Sequence, residues 1–259
     1  MQGYGICRLS IVPVRAEPAH KAEQVTQLLF GDHYEVTDAS GGEWLRIRQY
    51  FDGYEGWIDS RQHHAVTADY FHYLNQAEFK ITTDITSTLL YNRNPVVILM
   101  GSILPISSAE LFRMEEQFAF NGESKNLGQR RDYSFIDAMA RKYLHAPYLW
   151  GGRTPFGIDC SGFTQVVFKL AGYKLLRDAS MQFTQGNEVL PSEAARPGDL
   201  AFFQEKDRIT HVCIVMGGDR IIHASGRVRI DTLTSEGIVN TETQTLTHQL
   251  AGYRRILSE

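Results

Sequence analysis

The spacing of hydrophobic and polar positions changes along the chain, and each change predicts a different kind of element. Over residues 1–65 short apolar or alternating runs recur: Ile11-Val-Pro-Val-Arg15, Val25-Thr-Gln-Leu-Leu-Phe30, His33-Tyr-Glu-Val36, Trp44-Leu-Arg-Ile-Arg48 and Gly56-Trp-Ile58. A period of two puts alternate side chains on one sheet face, so these read as strands. Gly31-Asp32, Gly41-Gly42 and Asp52-Gly53 supply the turns between them. Spacing of this kind predicts a small β-barrel. Residues 66–128 continue in strands, at Ile85–Tyr91, Val96–Met100 and Ser102–Pro105, with Gly101 at a turn. Ser107 and Glu110 have the form of a capping box, which predicts a short helical segment running to Phe118. The polar stretch 121–128 then reads as an exit and linker.

From Asp132 the period becomes helical. Phe135, Ile136, Met139, Ala140, Tyr143 and Leu144 share one face of a helix. A second amphipathic helix carries Phe163, Val166, Val167, Leu170 and Ala171 and stops at Gly172. Strands follow at Leu200–Phe203, His211–Met216 and Arg220–Ala224, with Gly217-Gly218 as a hairpin turn. Helices first and an antiparallel sheet afterwards make this part α+β.

Composition narrows the function classes without choosing one. The 259 residues carry a net charge of −4 and no run of Lys or Arg, so no nucleic-acid partner is expected. The longest apolar stretch, Pro95–Met100, has the length of a buried strand, and no membrane partner is expected. The start of the sequence lacks a basic region followed by an apolar one, which points to the cytoplasm, or to the periplasm or cell envelope if a leader has been removed. Three cysteines without framework spacing fit a reducing compartment. Oligomeric state is left open, with a monomer compatible. His63-His64 have no third ligand at usable spacing, so neither a metal nor another cofactor is expected.

Chemistry concentrates at Cys160. Cys7 and Cys213 stand among apolar neighbours, whereas Cys160 lies between Asp159 and Ser161 and follows the glycine- and aromatic-rich turn Tyr148–Ile158. The first turn of a helix exposes unpaired N–H groups and the positive end of the macrodipole, which favours thiolate over thiol. A cysteine nucleophile also needs a base, a group to orient that base, and donors for the oxyanion. His211 and His223 stand on consecutive predicted strands, so they can be cross-strand neighbours. Tyr148, with the Cys160 backbone N–H, can form an oxyanion hole. Each feature alone has an ordinary structural reading: a part-buried histidine, an aromatic core residue, an Asp that caps a helix.

Together they match a known pattern. Tyr148–Phe163, Arg177–Gln182, Arg196-Pro-Gly-Asp-Leu-Ala-Phe-Phe203, His211–Met216 and Ile222-His223-Ala-Ser225 resemble the NlpC/P60 cysteine peptidases over about residues 130–257. The resemblance implies a papain-like α+β fold at residues 129–259, with Cys160 as nucleophile, His211 as base, His223 as the orienting residue and Tyr148 as oxyanion donor. Val12-Pro-Val-Arg-Ala-Glu-Pro18, Leu28–Asp32, Trp44–Ile47 and Tyr54–Ile58 resemble a bacterial SH3 domain, implying one such barrel at 1–65 and a divergent second one, with its linker, at 66–128. This pairing resembles the γ-D-glutamyl-L-diamino-acid endopeptidases (dipeptidyl-peptidase VI), which cut murein peptides. It implies that Glu23, Tyr54 and Asp159 hold the free amine of an N-terminal L-Ala. Trp150 would wall the small L-Ala pocket. Ser161, Arg177 and Asp178 would hold the α-carboxylate of γ-D-Glu. The expected reaction releases L-Ala-γ-D-Glu from free stem peptides. The alternative is a wall-remodelling endopeptidase acting on intact or N-capped stems, with the SH3 domains as tethers.

Overall fold

The computed structural model describes residues 3–76, 78–104, 118–190 and 193–257. The chain divides into two compact units, 1–129 and 130–259.

In the first unit, β1 (Gly3–Ile6), β2 (Ile11–Arg15), β3 (Gln24–Leu29), β4 (His33–Gly41), β5 (Trp44–Gln49), β6 (Glu55–Asp59) and β7 (Ala65–Val66) form one antiparallel sheet in the order β3-β2-β6-β5-β4-β1-β7. Alternation sends Val12 and Val14 of β2 inward, where they meet Leu28, Tyr34, Val36, Ile47 and Ile58. β1 has no legible pattern because two of its four residues are glycines, and Gly5 lies where any Cβ would run into the Tyr34 and His63 rings.

The remainder of this unit holds α1 (Ala68–Gln76), then β8 (Lys80–Thr82), β9 (Thr86–Tyr91), β10 (Asn94–Leu99), β11 (Ile103–Leu104), β12 (Phe118–Asn121) and β13 (Ser124–Asn126). They make two three-stranded sheets, β10-β9-β12 and β11-β8-β13. Helix α1 was not anticipated, since only Phe71 and Leu74 of its nine residues are buried and the helical period is faint. Two expectations change here. The stretch 121–128 is not simply a linker: Ser124, Lys125 and Asn126 pair with Thr82, Ile81 and Lys80. Most of the helical segment expected from Ser107 lies outside the described residues, and Phe118, its expected end, opens β12.

In the second unit, α2 (Tyr133–Arg141) begins at Asp132, whose carboxylate accepts the Phe135 N–H at 3.2 Å. There follow β14 (Arg153–Thr154), β15 (Gly157–Ile158), α3 (Cys160–Leu170), α4 (Ala179–Gln182), β16 (Asn187–Glu188), β17 (Leu200–Glu205), β18 (Arg208–Gly217), β19 (Arg220–Ser225), β20 (Arg227–Leu233), β21 (Gly237–Val239) and β22 (Leu246–Arg255). Strand β22 pairs with both β17 and β21, so the antiparallel ladder β17-β18-β19-β20-β21-β22 closes on itself, with β16 on the far side of β22. Ala201, Phe203, Cys213, Val215, Ile221 and Ile238 fill one face of this sheet. α3 packs against β18 and β19, whose alternate residues Val212, Ile214, Ile222 and Ala224 are also buried.

Helix α3 is more deeply set than its amphipathic pattern suggests, for all eleven residues are buried. Its polar face is covered by protein rather than water. Thr164 donates to the Gln182 side-chain carbonyl at 2.7 Å, and Gln165 donates to the Leu175 carbonyl at 3.1 Å. Burial satisfied in this way holds the helix end that carries Cys160 in one position.

Candidate active site

The turn before α3 is stitched down on both sides. Tyr148 N–H donates to the Gly226 carbonyl at 2.9 Å, Leu149 N–H to the Ile158 carbonyl at 3.2 Å and Ile158 N–H to the Pro147 carbonyl at 3.1 Å. Asp159 caps α3, accepting the Gly162 N–H at 2.7 Å, a bond of the kind that contributes about 0.5–2 kcal/mol. Its other oxygen accepts the Gly151 N–H at 2.8 Å. Arg177, 1% exposed, closes the arrangement with Nη2 at 2.6 Å and Nη1 at 3.1 Å from the two Asp159 oxygens, and with Nη1 at 2.9 Å from Ser161 Oγ.

Cys160 occupies the first position of α3 and is 6% exposed. Burial pushes its thiol up to about 12, and the Asp159 carboxylate adds to that; the Val212 and Ser161 backbone groups and the Arg177 charge pull the other way without prevailing. Burial thus works against the preference for thiolate expected from the helix terminus. A macrodipole effect of about 0.3–1 kcal/mol is smaller than the cost of desolvating an anion beside a carboxylate. His211 is displaced in the opposite sense, held well below 6.5 by burial and by the neighbouring His223 and His248. The two displacements favour the neutral thiol and the neutral imidazole.

Val212, whose backbone acts on the Cys160 sulfur, is the residue after His211. His211 Nε2 lies 2.8 Å from His223 Nδ1, and both rings are buried. Ile214 pairs with Ile222, so the alternate positions 211 and 223 fall on one face of β18 and β19, offset diagonally. His223 Nε2 in turn lies 3.0 Å from Asp231 Oδ2. His248 stacks on His211 with ring centroids 4.3 Å apart. Tyr148 is half-buried, and its hydroxyl is pushed up by burial and by the Cys160 and Asp159 charges, which keeps it a proton donor. A thiol, a base with an orienting chain, and a hydroxyl near the sulfur can together perform acyl transfer.

The pattern of the NlpC/P60 family matches residues 145–247, and that of the bacterial dipeptidyl-peptidase Sh3 domain matches residues 14–62. Gamma-D-glutamyl-L-lysine dipeptidyl-peptidase of Bacillus subtilis (strain 168) is 30% identical over 232 residues, covering 81% of this chain and 76% of that protein. The chain belongs to the NlpC/P60 family. Another relative, probable endopeptidase p60 of Listeria grayi, is 40% identical over 106 residues, 40% of this chain and 20% of the relative. The crystal structure of an NlpC/P60 family protein from Bacillus cereus ATCC 10987 has the same fold, with a TM-score of 0.82 at 20% identity over 99% of this chain and all of that one.

Within this NlpC/P60 unit the structure distributes the remaining predicted residues unevenly. Trp150 is 60% exposed on the turn, with Leu149 exposed beside it. Arg177 and Ser161, expected at a substrate carboxylate, are both buried, and their hydrogen bonds run to Asp159 and to each other, which braces the cap of α3. Asp159, expected at a substrate amine, has both oxygens engaged by Gly162, Gly151 and Arg177. Asp178 precedes α4 without a side-chain capping bond. Glu23 and Tyr54 lie in the first unit, Glu23 exposed just before β3 and Tyr54 half-buried just before β6. The sequence reading missed His248 and Asp231. Asp231 had a signal, since Arg229 and Asp231 alternate in a strand-like run immediately after His223. A cavity of about 580 Å³ opens beside His211, lined by Tyr148, Ser225, His248, Glu205 and Lys206 among others.

Proposed function

We propose that the protein is a cysteine peptidase that hydrolyses the γ-D-Glu–diamino acid bond of free murein peptides with an unblocked N-terminal L-Ala, releasing L-Ala-γ-D-Glu. The observation that carries this reading is the family match: a relative named gamma-D-glutamyl-L-lysine dipeptidyl-peptidase aligns over most of both chains. Cys160, His211 and Tyr148 supply the chemistry. As the Cys160 sulfur attacks the γ-carbonyl, its proton passes to His211 and the carbonyl oxygen becomes an oxyanion held by the Tyr148 hydroxyl and the Cys160 N–H. Collapse expels the diamino-acid amine, which takes the proton from His211 and leaves a thioester. Water, deprotonated by His211, then releases L-Ala-γ-D-Glu and restores the thiol.

The cavity beside His211 carries both an acidic and a basic lining residue, Glu205 and Lys206, which suits a zwitterionic leaving group. Selection for a free amine is assigned, through the resemblance, to Glu23 and Tyr54. The test is mass spectrometry of L-Ala-γ-D-Glu-L-Lys and L-Ala-γ-D-Glu-meso-diaminopimelate after incubation with the protein. Cleavage of the free tripeptides, its loss in Cys160→Ala and rejection of the N-acetylated forms are expected. Absence of cleavage by the unaltered protein would sink the proposal. The 40% identity to probable endopeptidase p60 over 106 residues supports a second reading, a wall-remodelling endopeptidase on intact or N-capped stems, and equal cleavage of acetylated and free peptides would select it.

A further inference from the structure

Behind His223 the hydrogen-bond chain ends on a carboxylate fixed from several directions. Asp231 Oδ1 accepts the Thr241 N–H and hydroxyl, each at 2.9 Å, and Arg229 Nη2 at 3.0 Å. Asp231 Oδ2 faces His223 Nε2 at 3.0 Å. Asp231 and His223 are each 1% exposed. Three donors converge on Oδ1 and the Arg229 Nε lies 2.9 Å from Oδ2, an arrangement that suits the ionised form, and an ionised carboxylate accepts hydrogen bonds without donating any.

That asymmetry propagates. Facing a pure acceptor, the neutral His223 ring must carry its proton on Nε2, so its Nδ1 is a lone pair. That lone pair lies 2.8 Å from His211 Nε2, which must then be the donor. His211 is left with an unprotonated Nδ1, the one nitrogen able to take a proton from a thiol. The reverse order would set a His223 lone pair against the carboxylate and place a proton on His211 Nδ1, removing the base.

We infer that Asp231 is a positioning residue that fixes the tautomers of both histidines, so that His211 keeps its Nδ1 free to serve as the base. Asp231 neither touches substrate nor takes a proton. When His211 becomes an imidazolium, the chain needs no rearrangement, because His211 Nε2–H already donates to His223 and His223 Nε2–H already donates to the carboxylate. The use of this order in catalysis rests on the peptidase reading above, whereas the order itself does not. The charged and titratable groups facing His223 are His211, Asp231, Arg229 and His248.

Two measurements on the full chain test the inference. Long-range ¹H–¹⁵N correlation spectra of the unaltered protein at neutral pH report which ring nitrogens carry protons. Protons on Nε2 of both His211 and His223, with both Nδ1 atoms unprotonated, are expected. A protonated His211 Nδ1 overturns the proposal, whether or not the peptide is a substrate. In Asp231→Asn, which is neutral and able to donate, the opposite tautomer should appear, with kcat down by on the order of 100-fold and KM within about threefold. The same change made in a His223→Ala background should cost nothing further. A full loss in that background, or unchanged kcat in Asp231→Asn, contradicts action through His223.

Discussion

At the residue scale, Arg177 changes meaning most between sequence and structure. A lone arginine downstream of a nucleophile suits a substrate carboxylate, yet here its guanidinium is buried and bound bidentately to the helix-capping Asp159. Removing one member of a buried pair strands the other charge, at a cost of about 3–5 kcal/mol. Arg177→Ala should therefore lower the urea midpoint by a corresponding amount and depress activity through the displaced turn. A rise in KM with unchanged stability would return Arg177 to the substrate. Cys160 teaches a related lesson. Its position at a helix start is legible in the sequence, but whether the thiol ionises depends on burial and on the Asp159 charge, which only the packed site reveals.

At the element scale, the contact between the turn and α3 controls the site. Gly162 sits one turn into the helix where an added Cβ would collide with the Gly152 carbonyl oxygen, a backbone atom with no rotamer to yield. Gly162→Ala is thus expected to push α3 from the turn, lower stability by roughly 1–3 kcal/mol in denaturant melts and reduce turnover. A variant with native stability and activity would mean that this contact relaxes freely. The alternation of β2, β5, β17 and β18 was readable because each buries one side and exposes or packs the other in step. β20, β21 and β22 were not read as strands, because β22 is half-exposed along most of its length and β21 has only three residues. Their pairing, which closes the ladder and brings His248 onto His211, is a long-range event without a local signature.

For the whole molecule, the buried histidines tie stability to pH. His211 and His223 are held below 6.5 chiefly by burial, and His248 is lowered to about 4. Each binds a proton more readily unfolded than folded, so its contribution is intact above 6.5 and is lost as pH falls through the folded values. For Asp231, burial pushes the carboxyl up, but hydrogen bonds from His223 and Thr241 outweigh it and hold the group below the ordinary range; its contribution is lost at still lower pH. The melting temperature should fall steadily as pH is lowered from 7 toward 4, and His248→Phe should flatten part of that slope. A melting temperature that is level across that range would contradict the assignment. By itself, the sequence determined the order of barrel, helices and antiparallel sheet and the family, and it singled out Cys160, His211, His223 and Tyr148 as candidates, since these rest on local period, turn chemistry and motif order. Only the tertiary structure revealed the burial that pushes the Cys160 thiol up, the pairing of Arg177 with Asp159 and the extension of the histidine chain to Asp231. Those depend on desolvation and on distances between residues far apart in the chain, which no local pattern encodes.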